Sequence, residues 1–178
     1  MKHTLGKDTK ATEGTGVGYA IIMGWQWVIV QLGIFLFLGY ALGFSPSSDW
    51  GFVRWFGVPG VVVGAVLLMP ALLAHGRKLT PLPEPNPELG LVRTGVYASV
   101  RHPIYLGLML LVWGLAMVLQ KPLGLLGAGI LTLFFNLKAR EEERRLLRRY
   151  PDYAEYQKTT GRFLPPLLSR RTSSSGQS

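Results

Sequence analysis

Tyr19 to Phe44 is a run of 26 residues without a charge, and it constrains this chain more than any other feature. About 20 predominantly apolar residues suffice for a helix to cross a hydrocarbon core of about 30 Å, because a helix satisfies its backbone hydrogen bonds internally. The run is too long for the apolar core of a secretion signal, and no small-residue cleavage site follows it. It therefore reads as a spanning helix and not as a removed leader. A second uncharged run, Trp55 to Ala74, has 20 residues, and Pro70 inside it is expected to kink the helix near its end. The polar bridge Ser45 to Arg54 is long enough only for a turn.

Two further uncharged runs, Ile104 to Gln120 and Pro122 to Leu137, are separated by Lys121 alone and predict an antiparallel hairpin. Each would reach roughly 25 Å, which is marginal for spanning unless flanking residues continue the helix. A buried helix of a soluble α-protein competes with the membrane reading for these two runs, though not for the first. The four runs occupy 79 of the 178 residues. That leaves the loop at 75–103 and the tail from 138 as the segments from which an activity can be completed. The expected fold is all-α, a polytopic membrane bundle of about four transmembrane helices (19–44, 55–74, 104–120 and 122–137) with a C-terminal cytoplasmic helical tail.

The 19 Lys and Arg against 10 Asp and Glu give a formal charge of +9, which alone suggests nucleic acid or an anionic membrane. Position separates the two. With four spans both termini share a side, and 17 of the 19 basic residues fall on it, leaving Arg54 and Lys121 opposite. By the positive-inside rule the termini, middle loop and tail are expected in the cytoplasm, in a plasma or inner membrane. No nucleic-acid partner is expected, because the Arg residues flank spans and interleave with Glu. There is no Cys and only three scattered His, so no metal site is expected. Residues 1–17 are polar enough to predict a mobile tail, and the Ser-rich residues 169–178 a disordered end. Pro81, Pro83, Pro85 and Pro87 favour an extended path in the middle loop, either a stiff connector or a strap across a site.

Two constellations on the basic side carry chemistry. Arg101-His102-Pro103-Ile104-Tyr105 reads as a helix entrance, with Pro103 in the first turn. On structural grounds alone, Arg101 is a snorkelling anchor and Tyr105 an interfacial aromatic. Glu141-Glu142-Glu143 lies within one turn of a spanning helix, where carboxylates are costly unless paired or engaged by a cationic ligand. Glu141 and Arg145 also have the i,i+4 spacing of an ordinary solvated helix.

Gly95-Val96-Tyr97, Arg101-His102-Pro103-Ile104-Tyr105-Leu106-Gly107, the Glu141-Glu142 pair, Tyr150-Pro151-Asp152-Tyr153-Ala154-Glu155-Tyr156 and Arg162-Phe163-Leu164-Pro165 occur in that order. In order and spacing they resemble the isoprenylcysteine carboxyl methyltransferase family, integral membrane enzymes related to the phospholipid methyltransferases. The resemblance covers roughly residues 75–168, and it makes 18–168 the expected methyltransferase domain. One departure is that the Tyr150–Tyr153 stretch is a residue shorter than the family's usual segment. Counting back from Tyr153 selects Glu141 and Glu142, whereas aligning Leu146 selects Glu142 and Glu143; Glu142 is common to both.

The resemblance implies methyl transfer from S-adenosylmethionine to a lipophilic or prenylated acceptor that enters from the bilayer. It implies a cofactor pocket of Gly95, Tyr97, Arg101, His102, Tyr105, Glu141 and Glu142. Arg101 and His102 would hold the cofactor's carboxylate or polar edges, the Glu pair its ammonium or ribose, and the tyrosines its adenine or sulfonium. Gly95 would permit close backbone approach. Arg101 and His102 are also the catalytic candidates, joined by Arg162, expected by position to neutralise an acceptor carboxylate. Such a carboxylate is already ionised at neutral pH, so alignment and exclusion of water would do most of the work. An amine acceptor would instead have to lose a proton. Phospholipid or small-amine N-methylation is therefore the nearest rival. An NADPH-dependent reductase of the sterol type is a second, although Leu108 stands after Gly107 where those reductases usually carry Asp. A non-enzymatic, lipid-binding membrane protein is a third.

Overall fold

The computed structural model describes residues 8–75 and 91–165. The proline-rich stretch, the first seven residues and the Ser-rich end lie outside the described residues. Helix α1 covers Asp8–Gly43, α2 Gly57–His75, α3 Pro103–Val118, α4 Pro122–Arg149 and α5 Tyr153–Thr159. Short 3-10 turns at Gly51–Phe56 and Gly95–Ala98 precede α2 and α3. Among the described residues the only extended pairing is an isolated parallel bridge between Val100 and Gly161.

Three of the four expected spans are long and apolar enough to cross a membrane: Gly24–Gly43 of α1, Gly51–Ala74 with α2, and α4, at 20, 24 and 28 residues. Helix α3 has 16 residues, about 24 Å of rise, and is the short member of the bundle. Helix α1 starts at Asp8, so much of the 1–17 stretch expected to be a mobile tail continues the first helix. Once a helix is nucleated, each added residue gains one hydrogen bond for one residue ordered, whereas a new helix must order several for its first bond. Pro70 lies inside α2, as the sequence requires. Helix α4 runs without interruption from its apolar half into the charged stretch ending at Arg149.

The helices lie in the order α2, α3, α4, α1, neighbours antiparallel, and glycines set the close approaches. A Cβ at Gly114 would come within 2.6 Å of the Gly57 carbonyl, and one at Gly107 within 2.9 Å of that of Gly64. Only hydrogen at these positions lets the α2 and α3 backbones touch, which supplies the van der Waals contact that holds helices together in lipid. On α4, Gly124 and Gly127 receive Leu42 and Leu38 of α1 in the same way. Leu38, Met109, Leu131, Phe134 and Phe135 form the buried core, with Trp27, Ile34, Tyr105 and Phe163 packed against it.

The Lys121 end is closed by carbonyl oxygens of the backbone and of the Gln120 side chain. Lys121 Nζ donates to the Ser45 carbonyl. Gln120, at φ 58°, accepts from Ser48 N–H at 2.9 Å through its carbonyl and from Trp50 N–H at 3.1 Å through Oε1. At the other end, α5 folds back so that buried Tyr153 and Tyr156 pack beside the 3-10 turn, with Tyr156 Oη donating to the Tyr97 carbonyl at 2.5 Å. This return brings residues 160–163 to the entrance of α3.

Candidate active site

Pro103 is the first residue of α3 and His102 its cap, so the missing proline N–H falls where a helix has no partner to offer. Residues 161–162 run alongside: Arg101 N–H donates to the Gly161 carbonyl at 2.9 Å and His102 N–H to that of Arg162 at 3.2 Å. This pairing aims the Arg101, His102 and Arg162 side chains at α4, where Glu143 meets all three.

Arg101 Nε and Nη2 lie 3.0 and 2.9 Å from Glu143 Oε1. Arg162 Nη2 lies 2.6 Å from Oε2 and its Nε 3.1 Å from Oε1. His102 Nε2 is 3.2 Å from Oε1, and Gln157 Nε2 is 3.4 Å from Oε2. The Glu143 and Arg101 side chains are only 5% and 9% exposed. A buried ion cluster offsets its desolvation only when hydrogen bonds satisfy it on several sides, and this one meets that condition. The Glu143 carboxylate hydrogen bond pushes the Arg162 pKa up further, and burial raises the pKa of the neighbouring Tyr153 phenol.

One residue earlier, Glu142 faces a different wall. Tyr105 Oη donates to Glu142 Oε1 at 2.5 Å, and His102 Nδ1 stands 3.6 Å from Oε2. His102 thus has one ring nitrogen at hydrogen-bond distance from Glu143 and the other facing Glu142. The Tyr105 ring is sandwiched between His102, at 5.5 Å and 5° between planes, and Phe135, at 4.4 Å and 7°. Lys138 Nζ sits 5.7 Å from the Tyr105 ring centre and donates to Gln31 Oε1 of α1 at 2.6 Å.

The structure brings Arg101, His102, Tyr105, Glu142 and Arg162 together. Glu141 is apart from them: it pairs with Arg145 at 3.1 Å and Arg144 at 3.6 Å along its own helix. Of the two registers the sequence left open, Glu142 with Glu143 is the pair turned toward α3. The expected roles of both arginines change. Arg101 was to hold a ligand carboxylate, but its nitrogens are taken by Glu143 and by the Gln157 and Thr160 carbonyls. Arg162 was to neutralise an acceptor, but it is bidentate on Glu143, with Nη1 3.3 Å from Asn136 Oδ1.

Gly95 has φ 61°, and no heavy atom lies within 4 Å of where its Cβ would be. Its requirement is the left-handed turn and not a close approach. Tyr97 is buried beneath α5, and burial raises its phenol pKa. The sequence reading missed Lys138, Gln31 and Phe135. A Lys at the inner end of one span and the glutamines Gln26 and Gln31 within another were the available signal for the first two. Among the described residues no cluster of His, Asp or Glu has the makings of a metal site.

Comparison with known proteins bears on the family and the fold. The sequence model of the family described as "Phospholipid methyltransferase" matches residues 52–153. The chain is 29% identical to a probable protein-S-isoprenylcysteine O-methyltransferase of Oryza sativa subsp. indica over 129 residues, 70% of this chain and 68% of the relative. It is 28% identical to protein-S-isoprenylcysteine O-methyltransferase A of Arabidopsis thaliana over 114 residues, 62% of this chain and 58% of the relative. The solved structure of the eukaryotic intramembrane Ras methyltransferase ICMT (isoprenylcysteine carboxyl methyltransferase) superposes with a TM-score of 0.57 at 24% identity. That match covers 91% of this chain and 54% of the other, so the chain spans about half the length of that structure and shares its fold. With apolar helices long enough to cross a bilayer and a family match over more than half its length, this multi-pass membrane protein belongs to the phospholipid methyltransferase family.

Proposed function

We propose that this chain transfers a methyl group from S-adenosylmethionine to the carboxylate of an isoprenylcysteine-like or other isoprenoid acid that enters from the bilayer. The observation that carries this reading is the half-buried Glu142 carboxylate held against the His102–Tyr105–Phe135 ring stack. A carboxylate walled by aromatic faces suits a ligand with a flat base and two cationic centres, an ammonium and a sulfonium. Glu142 would accept from the ammonium, and Tyr105 and His102 would present their ring faces. When bound, the cofactor supplies an electrophilic methyl group on a positively charged sulfur.

The protein's own contribution is placement. Glu143 locks Arg101, His102 and Arg162 into one rigid unit, so His102 keeps its orientation without help from a ligand. Tyr105 is held by rings on both sides, and its hydroxyl fixes Glu142. Rigid alignment is what a reaction between two bound partners needs when the nucleophile is already ionised. The membrane half of the bundle keeps water away from the acceptor's side. The relatives named as protein-S-isoprenylcysteine O-methyltransferases support a prenylated acid as the acceptor. The excess of basic residues at the Glu142 end supports a cytoplasmic site.

Titrating the purified full chain in detergent with S-adenosylmethionine, S-adenosylhomocysteine and NADPH tests the reading. Saturable binding of the first two and none of NADPH is the expected result. Binding of NADPH alone overturns it.

A further inference from the structure

We propose that Arg54 holds the phosphodiester of a membrane phospholipid at the end of the bundle opposite Glu142, a lipid site separate from the methyl-transfer pocket. Helix α2 has 19 residues, about 28 Å of rise and so close to the whole thickness of a hydrocarbon core. Arg54 precedes it, in the 3-10 turn Gly51–Phe56. Its guanidinium is therefore placed where the hydrocarbon gives way to the headgroup layer, at the level of the lipid phosphates. Gly57, which follows the turn, packs on Gly114, Met117 and Val118. That is the end of α3 away from Tyr105, so a lipid held by Arg54 is not the methyl acceptor.

The Arg54 guanidinium is short of partners within the protein. Its Nε is buried and meets no hydrogen-bond acceptor, and among the described residues no other buried side-chain nitrogen or oxygen is left in that state. Asp49, the carboxylate of the same connection, accepts from Gly51 N–H at 2.9 Å, and no ion pair joins it to Arg54. The guanidinium carbon lies over the Trp55 ring, 5.0 Å from its centre. That contact uses the flat face and leaves the N–H edges, through which a guanidinium binds anions, without a protein acceptor. Lys121, the other cation at this end, differs: its Nζ donates to the Ser45 carbonyl.

The surroundings select a lipid over a solute. Phe44, Phe52, Trp55 and Phe56 are each more than half exposed. Aromatic side chains at this level of a bilayer sit among headgroups and the ends of acyl chains. A free phosphate would gain the charge contact alone, whereas a phospholipid also covers these rings with acyl chain.

A phosphodiester carries one negative charge shared by two non-bridging oxygens, which match the paired N–H donors on a guanidinium edge. Binding neutralises the cation, gives its edge the acceptors it lacks, and fixes the depth of the 3-10 turn. Because that turn runs directly into the Gly57–Gly114 contact, a lipid bound to the folded chain stabilises the α2–α3 pair by mass action.

The test uses the delipidated full chain in detergent, titrated with dioleoyl phosphatidylglycerol, with a galactosyl diacylglycerol of the same acyl chains, and with glycerol phosphate. Native mass spectrometry reads binding, and the thermal midpoint reads stabilisation. Phosphatidylglycerol should bind wild type and raise its midpoint, and the phosphate-free galactolipid should bind more weakly. Arg54→Gln should weaken phosphatidylglycerol binding by about 10- to 100-fold and remove the rise in midpoint. It should leave galactolipid binding and the lipid-free midpoint at wild-type values, because no bond within the protein is lost. Arg54→Lys, which keeps the charge without the fork, should fall between the two. Lys121→Gln, which removes a cation already engaged, should keep most of the affinity. Equal affinity of wild type for the two lipids overturns the proposal, as does unchanged phosphatidylglycerol binding in Arg54→Gln or equal loss of both lipids in it. Equal loss in Arg54→Gln and Lys121→Gln would reduce the site to a diffuse field of charge and overturn it too. Displacement of the lipid by an equal concentration of glycerol phosphate would overturn it in favour of a free-phosphate site.

Discussion

Around Glu143 both carboxylate oxygens meet donors: two guanidiniums, an imidazole and an amide. Around Glu142, one residue away, there is a phenol at hydrogen-bond distance, an imidazole nitrogen at 3.6 Å and a stack of rings. The two carboxylates share a helix turn and a histidine but do different work. Glu143 spends its capacity on protein groups and welds α3, α4 and the C-terminal segment together. Glu142 is held in place by one hydroxyl, which leaves its surroundings shaped for a ligand. Charge alone therefore does not mark the ligand site here; the residue with more ionic partners is the scaffold.

The largest expected effect breaks the scaffold side of this contrast. Glu143→Gln leaves Arg101 and Arg162 facing a neutral amide in a buried setting. Removing one partner of such a cluster costs about 3–5 kcal/mol. A drop in thermal midpoint on the order of 10 °C in detergent should follow. Cofactor affinity measured well below the new midpoint should fall less than stability does. A variant as stable as wild type would show that the cluster does not hold the fold.

How far this division was legible in the sequence depended on which residues report on themselves. The uncharged runs located α1, α2 and α4 because lipid demands apolar side chains over a fixed length, and Lys121 marked the hairpin turn. Arg101, His102 and Tyr105 were legible because they sit within five residues at a helix entrance. The register of the Glu pair was not, since three consecutive carboxylates point 100° apart and only packing against α3 selects between them. Arg101 and Arg162 were misread for a related reason. A cation's sequence position does not reveal whether an internal carboxylate will claim it, and that pairing depends on α5 folding back through residues 160–163. Lys138 was counted as a topology signal, and only its burial against Gln31 and Tyr105 separates it from the solvated Arg residues that follow.

The next effect sharpens the ligand side. Glu142→Gln keeps an oxygen that can accept from Tyr105 Oη and keeps the side chain's volume, so folding should survive. A hydrogen bond between charged groups is worth about 1.5–3 kcal/mol, so affinity for S-adenosylmethionine should drop about 10- to 100-fold. If Glu142 accepts from the ammonium, which S-adenosylhomocysteine also carries, calorimetry should find the same loss for both ligands. Loss confined to S-adenosylmethionine would move the contact to the sulfonium, and no loss for either would remove Glu142 from the pocket.

The smallest effect tests the register itself. Glu141 is joined to Arg144 and Arg145 at i,i+3 and i,i+4 on a partly exposed face of α4. Such pairs contribute up to about 0.5 kcal/mol and are screened by salt. Glu141→Gln should therefore shift stability by no more than that amount and leave cofactor affinity and turnover at wild-type values. The comparison with Glu142→Gln matters because the two substitutions have identical chemistry and stand one residue apart on one helix. A difference between them can arise only from the direction each side chain takes. If Glu141→Gln lost affinity and Glu142→Gln did not, α4 would have to be rotated by about 100° relative to α3 in the working enzyme. Glu143 would then be carried away from Arg101 and Arg162, and the scaffold on which the whole contrast rests would be dismantled.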